Sequence, residues 1–215
     1  MEGYQKTFIE LALKHQVLKF GEFKLKSGRM SPYFFNVGQF NTGEALNTLG
    51  NCYAAAIAEA DFSFDVIFGP AYKGIPLACS AAISLSLNHH QDVPYAFNRK
   101  ETKDHGEGGQ VIGASLNQQR VLIIDDVITA GTAIRESLDI IQGANGKVAG
   151  IVIALDRQEK GQGEKSAIQE IQAALNIPIK AIITFENIME YVGNSGSFAA
   201  FQTPLNAYRQ QYGIS

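Results

Sequence analysis

Asp125 and Asp126 stand side by side directly after the apolar residues Val121 to Ile124 and two residues ahead of the small-residue run Thr129-Ala130-Gly131-Thr132. An apolar strand ending in carboxylates, a tight turn and then helical periodicity form a ligand-binding junction, because open α/β sheets bind ligands at the carboxyl ends of their strands. In such a turn successive backbone N–H groups point outward at the positive end of the following helix, with threonine hydroxyls beside them, and can cradle a phosphate. Carboxylates touching that phosphate would repel it. They suit paired hydroxyl donors instead, such as the vicinal hydroxyls of a ribose. A sugar phosphate satisfies both halves at once. The plainer reading makes the aspartates an N-cap and ion-pair partner of the next helix.

A second junction is FGPAYKGIP, residues 68–76. Gly69 and Gly74 have the spacing of a nucleotide-triphosphate P-loop, but Ile75 and Pro76 stand where Lys and Ser or Thr are required, which excludes that motif. What remains is a turn whose backbone amides, Ala71 to Gly74, and whose Lys73 ammonium can face an anion. A third segment, RKETKDHGEGGQVIG at 99–113, is glycine-rich and charged, with almost no apolar periodicity. It reads as a long mobile loop. Arg99, Lys100, Lys103 and His105 fall within seven residues of it, which favours a lid over a plain surface excursion. His15, His89 and His90 read as surface or helix-end residues and form no zinc set.

The elements that must position these groups follow a regular rhythm from residue 64 onward: an apolar run, a glycine-bearing turn, then an amphipathic segment. That is the pattern of a parallel sheet. Strands are expected at 64–68, 95–97, 121–124, 149–155 and 181–185, and helices at 75–87, 132–142 and 166–175, with Asn145-Gly146 ending the second helix. The first sixty residues differ, with a helix near 4–13, short runs at 23–25 and 33–35, and an Ala-rich helix at 43–60. We divide the chain into an N-terminal cap or hood at 1–60, an α/β core at 61–190 and a helical tail at 191–215 that completes the cap.

Composition sets the outer limits. With 46% hydrophobic and 18% charged residues the chain suits an ordinary globular domain. The net charge of -3, with no long run of like charge, offers no footprint for nucleic acid or an anionic membrane. No stretch approaches the length of a membrane span, and the amino terminus lacks a signal-peptide pattern. Cys52 and Cys79 fit no CxxC motif and read as reduced thiols, so a cytoplasmic location is expected.

The segment VLIIDDVITAGTA resembles the phosphoribosyl pyrophosphate (PRPP) signature of type I phosphoribosyltransferases. That resemblance implies a Rossmann-like parallel-sheet core with a small N-terminal hood. Asp125 and Asp126 would hold the ribose hydroxyls, and Thr129, Ala130, Gly131, Thr132 and Ala133 the 5-phosphate, with Val127, Ile128 and Lys26 also at the PRPP site. FGPAYKGIP resembles the family's pyrophosphate loop, with Tyr72 and Lys73 at the leaving group.

The likeness extends to LKFGEFKLKSGRMSPYFFN, NRKETKDHGEGG and ALDRQEKGQGEKSA, the pattern of orotate phosphoribosyltransferases. Lys26, Phe34, Phe35, Thr129 and Arg157 would then line the orotate site, although by residue type Phe34 and Phe35 also suit a core and Arg157 an ion pair. A guanidinium suits the orotate carboxylate. The resemblance further implies displacement at the anomeric carbon through an oxocarbenium-like transition state. Growing charge on pyrophosphate would be met by Lys73, Arg99, Lys100, Lys103 and His105, with Mg²⁺ held mainly by substrate and water rather than by protein ligands. Asp125 and Asp126 belong to the same catalytic set, and no general base is needed. A homodimer with shared active sites is also implied. The phosphate motif alone fits an enzyme for another base, or a regulator that keeps the fold without catalysis.

Overall fold

In a computed structural model, residues 1–25, 27–60, 62–101, 110–129, 131–161 and 163–214 are described. The chain opens with α1 (Gly3–Lys14), β1 (Leu18–Lys24), β2 (Met30–Phe35) and α2 (Gly43–Ala60). It continues through β3 (Val66–Gly69), α3 (Gly74–His89), β4 (Tyr95–Asn98), β5 (Val111–Gly113), β6 (Arg120–Val127), α4 (Thr132–Gly143), β7 (Lys147–Asp156) and α5 (Ala167–Leu175). The last elements are β8 (Ile179–Thr184), α6 (Phe185–Asn194) and α7 (Gln202–Tyr212).

β1 and β2 form an antiparallel hairpin, and the other strands form one sheet in the order β5-β4-β3-β6-β7-β8. All neighbours in that sheet are parallel except β5, which runs antiparallel to β4 at the edge. The long loop expected at 99–113 therefore ends in a short strand, because Val111 and Ile112 pair with Asn98 and Phe97. The sequence reading also passed over α6. Its N-cap Thr184 closes a capping box with Asn187, a side chain in place of the more familiar Glu or Gln.

Both faces of the sheet are covered. Leu122, Ile124, Val152 and Ala154 point into one apolar cluster, while Val121, Ile123, Ile151 and Ile153 point into the other. This period-2 alternation explains why the strands are continuously apolar in sequence. α1, α2 and α3 lie on the first face, with α4 and α5 on the second. Phe8 of α1 packs with Phe40, and α7 seats Tyr208 edge-on to Tyr33 of the hairpin.

α2 and α3 touch so closely that a Cβ on Gly50 would lie 2.5 Å from the Ser80 carbonyl oxygen and 2.8 Å from Ser84 Oγ. The nearer contact is with backbone, which cannot swing aside as the Ser84 hydroxyl could. Gly50→Ala should therefore push the helices apart and destabilise the protein by roughly 1–3 kcal/mol, read as a lower midpoint in urea unfolding. An unchanged midpoint would show that the helices can part freely there.

Candidate active site

The strand order decides where a ligand can enter. From β3 the chain moves outward to β4, and later returns to β6 on the other side of β3 before running on through β7 to β8. The loops leaving β3 and β6 therefore diverge, opening a crevice at their carboxyl ends. The first of these loops carries Tyr72 and Lys73, and the second runs from Asp125 and Asp126 towards Thr132.

Asp125 and Asp126 are only 7% and 9% exposed. Each carboxylate is fixed by a backbone amide, Asp126 N–H donating to Asp125 Oδ1 at 2.8 Å and Val127 N–H to Asp126 Oδ1 at 2.8 Å. Across the crevice, Lys73 Nζ lies 2.7 Å from Asp126 Oδ2. From beneath, the buried Tyr53 hydroxyl of α2 donates to the Asp125 carbonyl oxygen at 2.9 Å. Burial first, and the Asp126 charge second, push the Asp125 carboxyl up to about 7.

Four helices follow parallel strands, and their N-termini divide into two kinds. Ser166 caps α5 and Thr184 caps α6, each accepting the backbone N–H three residues on. At α3 and α4, which face the crevice, the N-cap residues Lys73 and Gly131 make no side-chain cap bond. Gly131 has φ +74, a left-handed conformation that glycine adopts without strain. At α4 no acceptor is found among the described residues for the first-turn amides, which suits them to an anion. At α3 Gly74 and Ile75 N–H already bond the Pro70 and Tyr72 carbonyls and Pro76 has no N–H, so the amides left for an anion there are those of Tyr72 and Lys73 just ahead of the helix.

The loop after β3 is sharper than its sequence suggests. Ala71-Tyr72 is a cis peptide, and Gly69 and Gly74 approach so closely that a Cβ on Gly69 would lie 2.2 Å from the Gly74 carbonyl oxygen. Of the four amides expected to face an anion, Ala71 N–H donates to Asn98 Oδ1 at 2.8 Å and Gly74 N–H to the Pro70 carbonyl at 2.9 Å. The outward-facing set reduces to Tyr72 and Lys73, for whose amides no acceptor occurs among the described residues. Asn98 was missed because an asparagine at a strand end carries no distinctive pattern.

The other described candidates differ in exposure and in partners. Thr129, Thr132 and Ala133 are exposed, Val127 is half-buried and Ile128 is buried. Arg99 is half-buried, while Lys100 is exposed with its Nζ 5.2 Å from the centre of the Tyr72 ring. The two phenylalanines part company: Phe34 is 39% exposed and tilts against Phe23, whereas Phe35 packs onto Phe8 of the core. Arg157 lies 4.2 Å over the Tyr33 ring, donates to Ser31 Oγ at 3.2 Å, and pairs with Glu159 at 2.7 Å, both side chains being only 14% exposed. Lys26, Lys103, His105 and Ala130 lie outside the described residues.

Fold and crevice together define a class: a phosphoribosyl-transfer domain in which a buried aspartate pair lies between two anion-ready helix ends. The family model described as "Phosphoribosyl transferase domain" matches residues 36–179. Orotate phosphoribosyltransferase of Cronobacter sakazakii is 56% identical over 214 residues, covering 100% of both chains, and that of Saccharophagus degradans is also 56% identical over 100% of both. Among solved structures, orotate phosphoribosyltransferase of Francisella tularensis superposes with a TM-score of 0.86 at 49% identity, covering 96% of this chain and 98% of that one. The chain belongs to the orotate phosphoribosyltransferase family.

The upward shift of Asp125 makes a directional prediction. Its folded value of about 7 lies above the value of about 4 of an unfolded chain, so the folded state holds the extra proton and stability falls as pH rises between them. Asp125→Asn removes this dependence. In urea titrations the variant should be more stable than wild type at pH 8 and lose that advantage at pH 5; a constant difference between the two pH values would overturn the assignment.

Proposed function

We propose that the protein transfers the 5-phosphoribosyl group of PRPP to orotate, giving orotidine 5′-monophosphate and pyrophosphate, a step of UMP synthesis. The observation that carries this reading is the contrast between the capped helices α5 and α6 and the uncapped α3 and α4 on either side of Asp125 and Asp126. Two anion sites flanking two hydroxyl acceptors match a ribose bearing phosphate at one end and pyrophosphate at the other.

In this reading the first turn of α4, with Thr129 to Ala133, takes the 5-phosphate, and Asp125 and Asp126 accept from the ribose hydroxyls. Lys73 exchanges Asp126 for the leaving pyrophosphate, joined by the Tyr72 and Lys73 amides, Arg99, Lys100, Lys103 and His105. A half-exposed ammonium gains about 1 kcal/mol or less from one carboxylate, so the exchange costs little. Arg157 differs. Separating a buried pair such as Arg157–Glu159 costs roughly 3–5 kcal/mol, so Arg157 meets the base while still held by Glu159. Lys26, Phe34, Phe35 and Thr129 complete the orotate site, Phe34 offering an exposed ring and Phe35 supporting the strand from the core side.

Among the described residues no three His, Cys, Asp or Glu side chains cluster to hold a metal. A lone aspartate pair suits Mg²⁺ that takes most of its ligands from diphosphate and water. Such an ion would neutralise charge on the departing pyrophosphate. We also propose a cytoplasmic location, supported by the free thiols Cys52 and Cys79. Among the described residues no helix is long and apolar enough to cross a membrane. The domain division at 60 and 190 remains part of this proposal.

The direct test is loss of orotate absorbance with PRPP and Mg²⁺, compared with uracil, hypoxanthine and adenine in place of orotate. Turnover of another base, with none of orotate, would defeat the reading.

A two-fold dimer with shared sites belongs to the same proposal. It is supported by Ile83 and Leu87, i and i+4 on α3, which are 58% and 70% exposed and form an apolar stripe beyond Cys79. One variant carries Lys103→Ala and a second carries Asp125→Asn with Asp126→Asn; each should be inactive alone. Unfolded and refolded together, half the dimers are hybrids with one intact site of two, so about a quarter of wild-type activity should return. No recovery, with hybrids verified by native mass spectrometry, means that each chain completes its own site.

A further inference from the structure

We infer that Asn98 is a positioning residue that clasps the loop after β3 to the segment after β4, holding the two groups that meet the leaving pyrophosphate in one arrangement. The inference rests on the proposed function and extends it to a residue that contacts no reacting atom. Asn98 ends β4, which lies beside β3 with Phe97 opposite Gly69, so the two strands deliver their loops to the same place.

Its side chain uses both ends. Oδ1 accepts from Ala71 N–H at 2.8 Å, and Nδ2 donates to the Arg99 carbonyl at 3.3 Å. The first bond takes the Ala71 amide out of play and leaves the next two amides, Tyr72 and Lys73, to face outward. The second fixes the Arg99 backbone, whose N–H is already bound to the Gln110 carbonyl at 2.8 Å. A primary amide is the side chain able to donate and accept at this position; a carboxylate or an aliphatic group cannot do both.

A second link runs parallel to the first. The Tyr72 ring, 65% exposed, faces Lys100 Nζ at 5.2 Å, joining the same two segments by a cation–π contact. The Tyr72 and Lys73 amides are thus tied by backbone and side chain to the stem that carries Arg99 and Lys100. One anion needs both sets together. If either swung independently, part of the binding energy would be spent on orientation.

The test compares wild type with Asn98→Ala and the near-isosteric, uncharged Asn98→Leu in forward and reverse reactions. Asn98→Ala should raise KM for PRPP and for pyrophosphate about tenfold. The KM for orotate should stay within about twofold, a split that general destabilisation does not produce. Asn98→Leu fills the same volume without either bond and without adding charge, so it should show the same split, and it decides the case if the alanine variant does not fold.

Unchanged PRPP and pyrophosphate constants, or a uniform loss in all constants together with a lower melting temperature, would overturn the clasp. Wild-type protein that fails to consume orotate would instead defeat the functional reading, and PRPP titration calorimetry on the same variants would then judge the clasp alone.

Discussion

Two aspartates at the end of one buried strand repel each other, and each loses hydration that water would supply. Among the described residues that cost is met by a cation from the neighbouring strand's loop, Lys73, placed 2.7 Å from Asp126, and by backbone amides on both carboxylates. Much else serves that contact. β3 must lie beside β6, which sets the switch in strand order. The loop after β3 must fold tightly enough to bring Lys73 back over β6, which demands the close approach of Gly69 and Gly74. α2 must lie near enough for Tyr53 to reach the Asp125 carbonyl, and Gly50 lets α2 settle against α3. Burial first, and the Asp126 charge beside it, leave Asp125 holding its proton up to about 7.

Parts of this arrangement were legible in the sequence because chemistry and position coincide there. Asp125 and Asp126 follow a strand and precede a small-residue turn, and only a few ligands suit that combination. The parallel sheet was readable because buried strands are continuously apolar, as at 121–124 and 149–155. What escaped depends on distance in three dimensions. Lys73 and Asp126 are 53 residues apart, and nothing local announces their ion pair. Asn98 looks like any polar strand end until Ala71 is seen beside it. β5 is only three residues long, too short for its alternation to stand out from a glycine-rich segment. Phe34 and Phe35 read as a pair, but adjacent strand residues face opposite ways, so only Phe34 is left exposed.

Arg157 shows what residue type alone does not reveal. A guanidinium expected to await a carboxylate already has one, since Glu159 binds it at 2.7 Å and also lies 3.7 Å from Arg29. Arg29 stacks over Tyr212 at 4.9 Å, Arg157 over Tyr33, and the Lys160 amide donates to the Tyr212 carbonyl. The cluster therefore ties the hairpin, the segment after β7 and the end of α7 together. Arg157 and Glu159 are both largely buried, so neither leaves without exposing the other to an uncompensated interior.

The two ends of the crevice are thus built on opposite terms. On the phosphate side the protein's own partners are weak or missing: a half-exposed lysine on one carboxylate, and two helix ends without caps. A ligand with phosphate at both ends can displace the first and supply the second, gaining charge-assisted hydrogen bonds without breaking anything costly. Around Arg157 the charges are largely buried and already paired, although the buried Tyr33 and Tyr208 hydroxyls have no partner among the described residues, so on the proposed reading a base would meet a charge arrangement set before it arrives. On the proposed reading, selectivity between bases would belong to the rigid side and binding strength to the exchangeable side. That division matches the chemistry, because the phosphates are common to every phosphoribosyl donor and only the base distinguishes one acceptor from another.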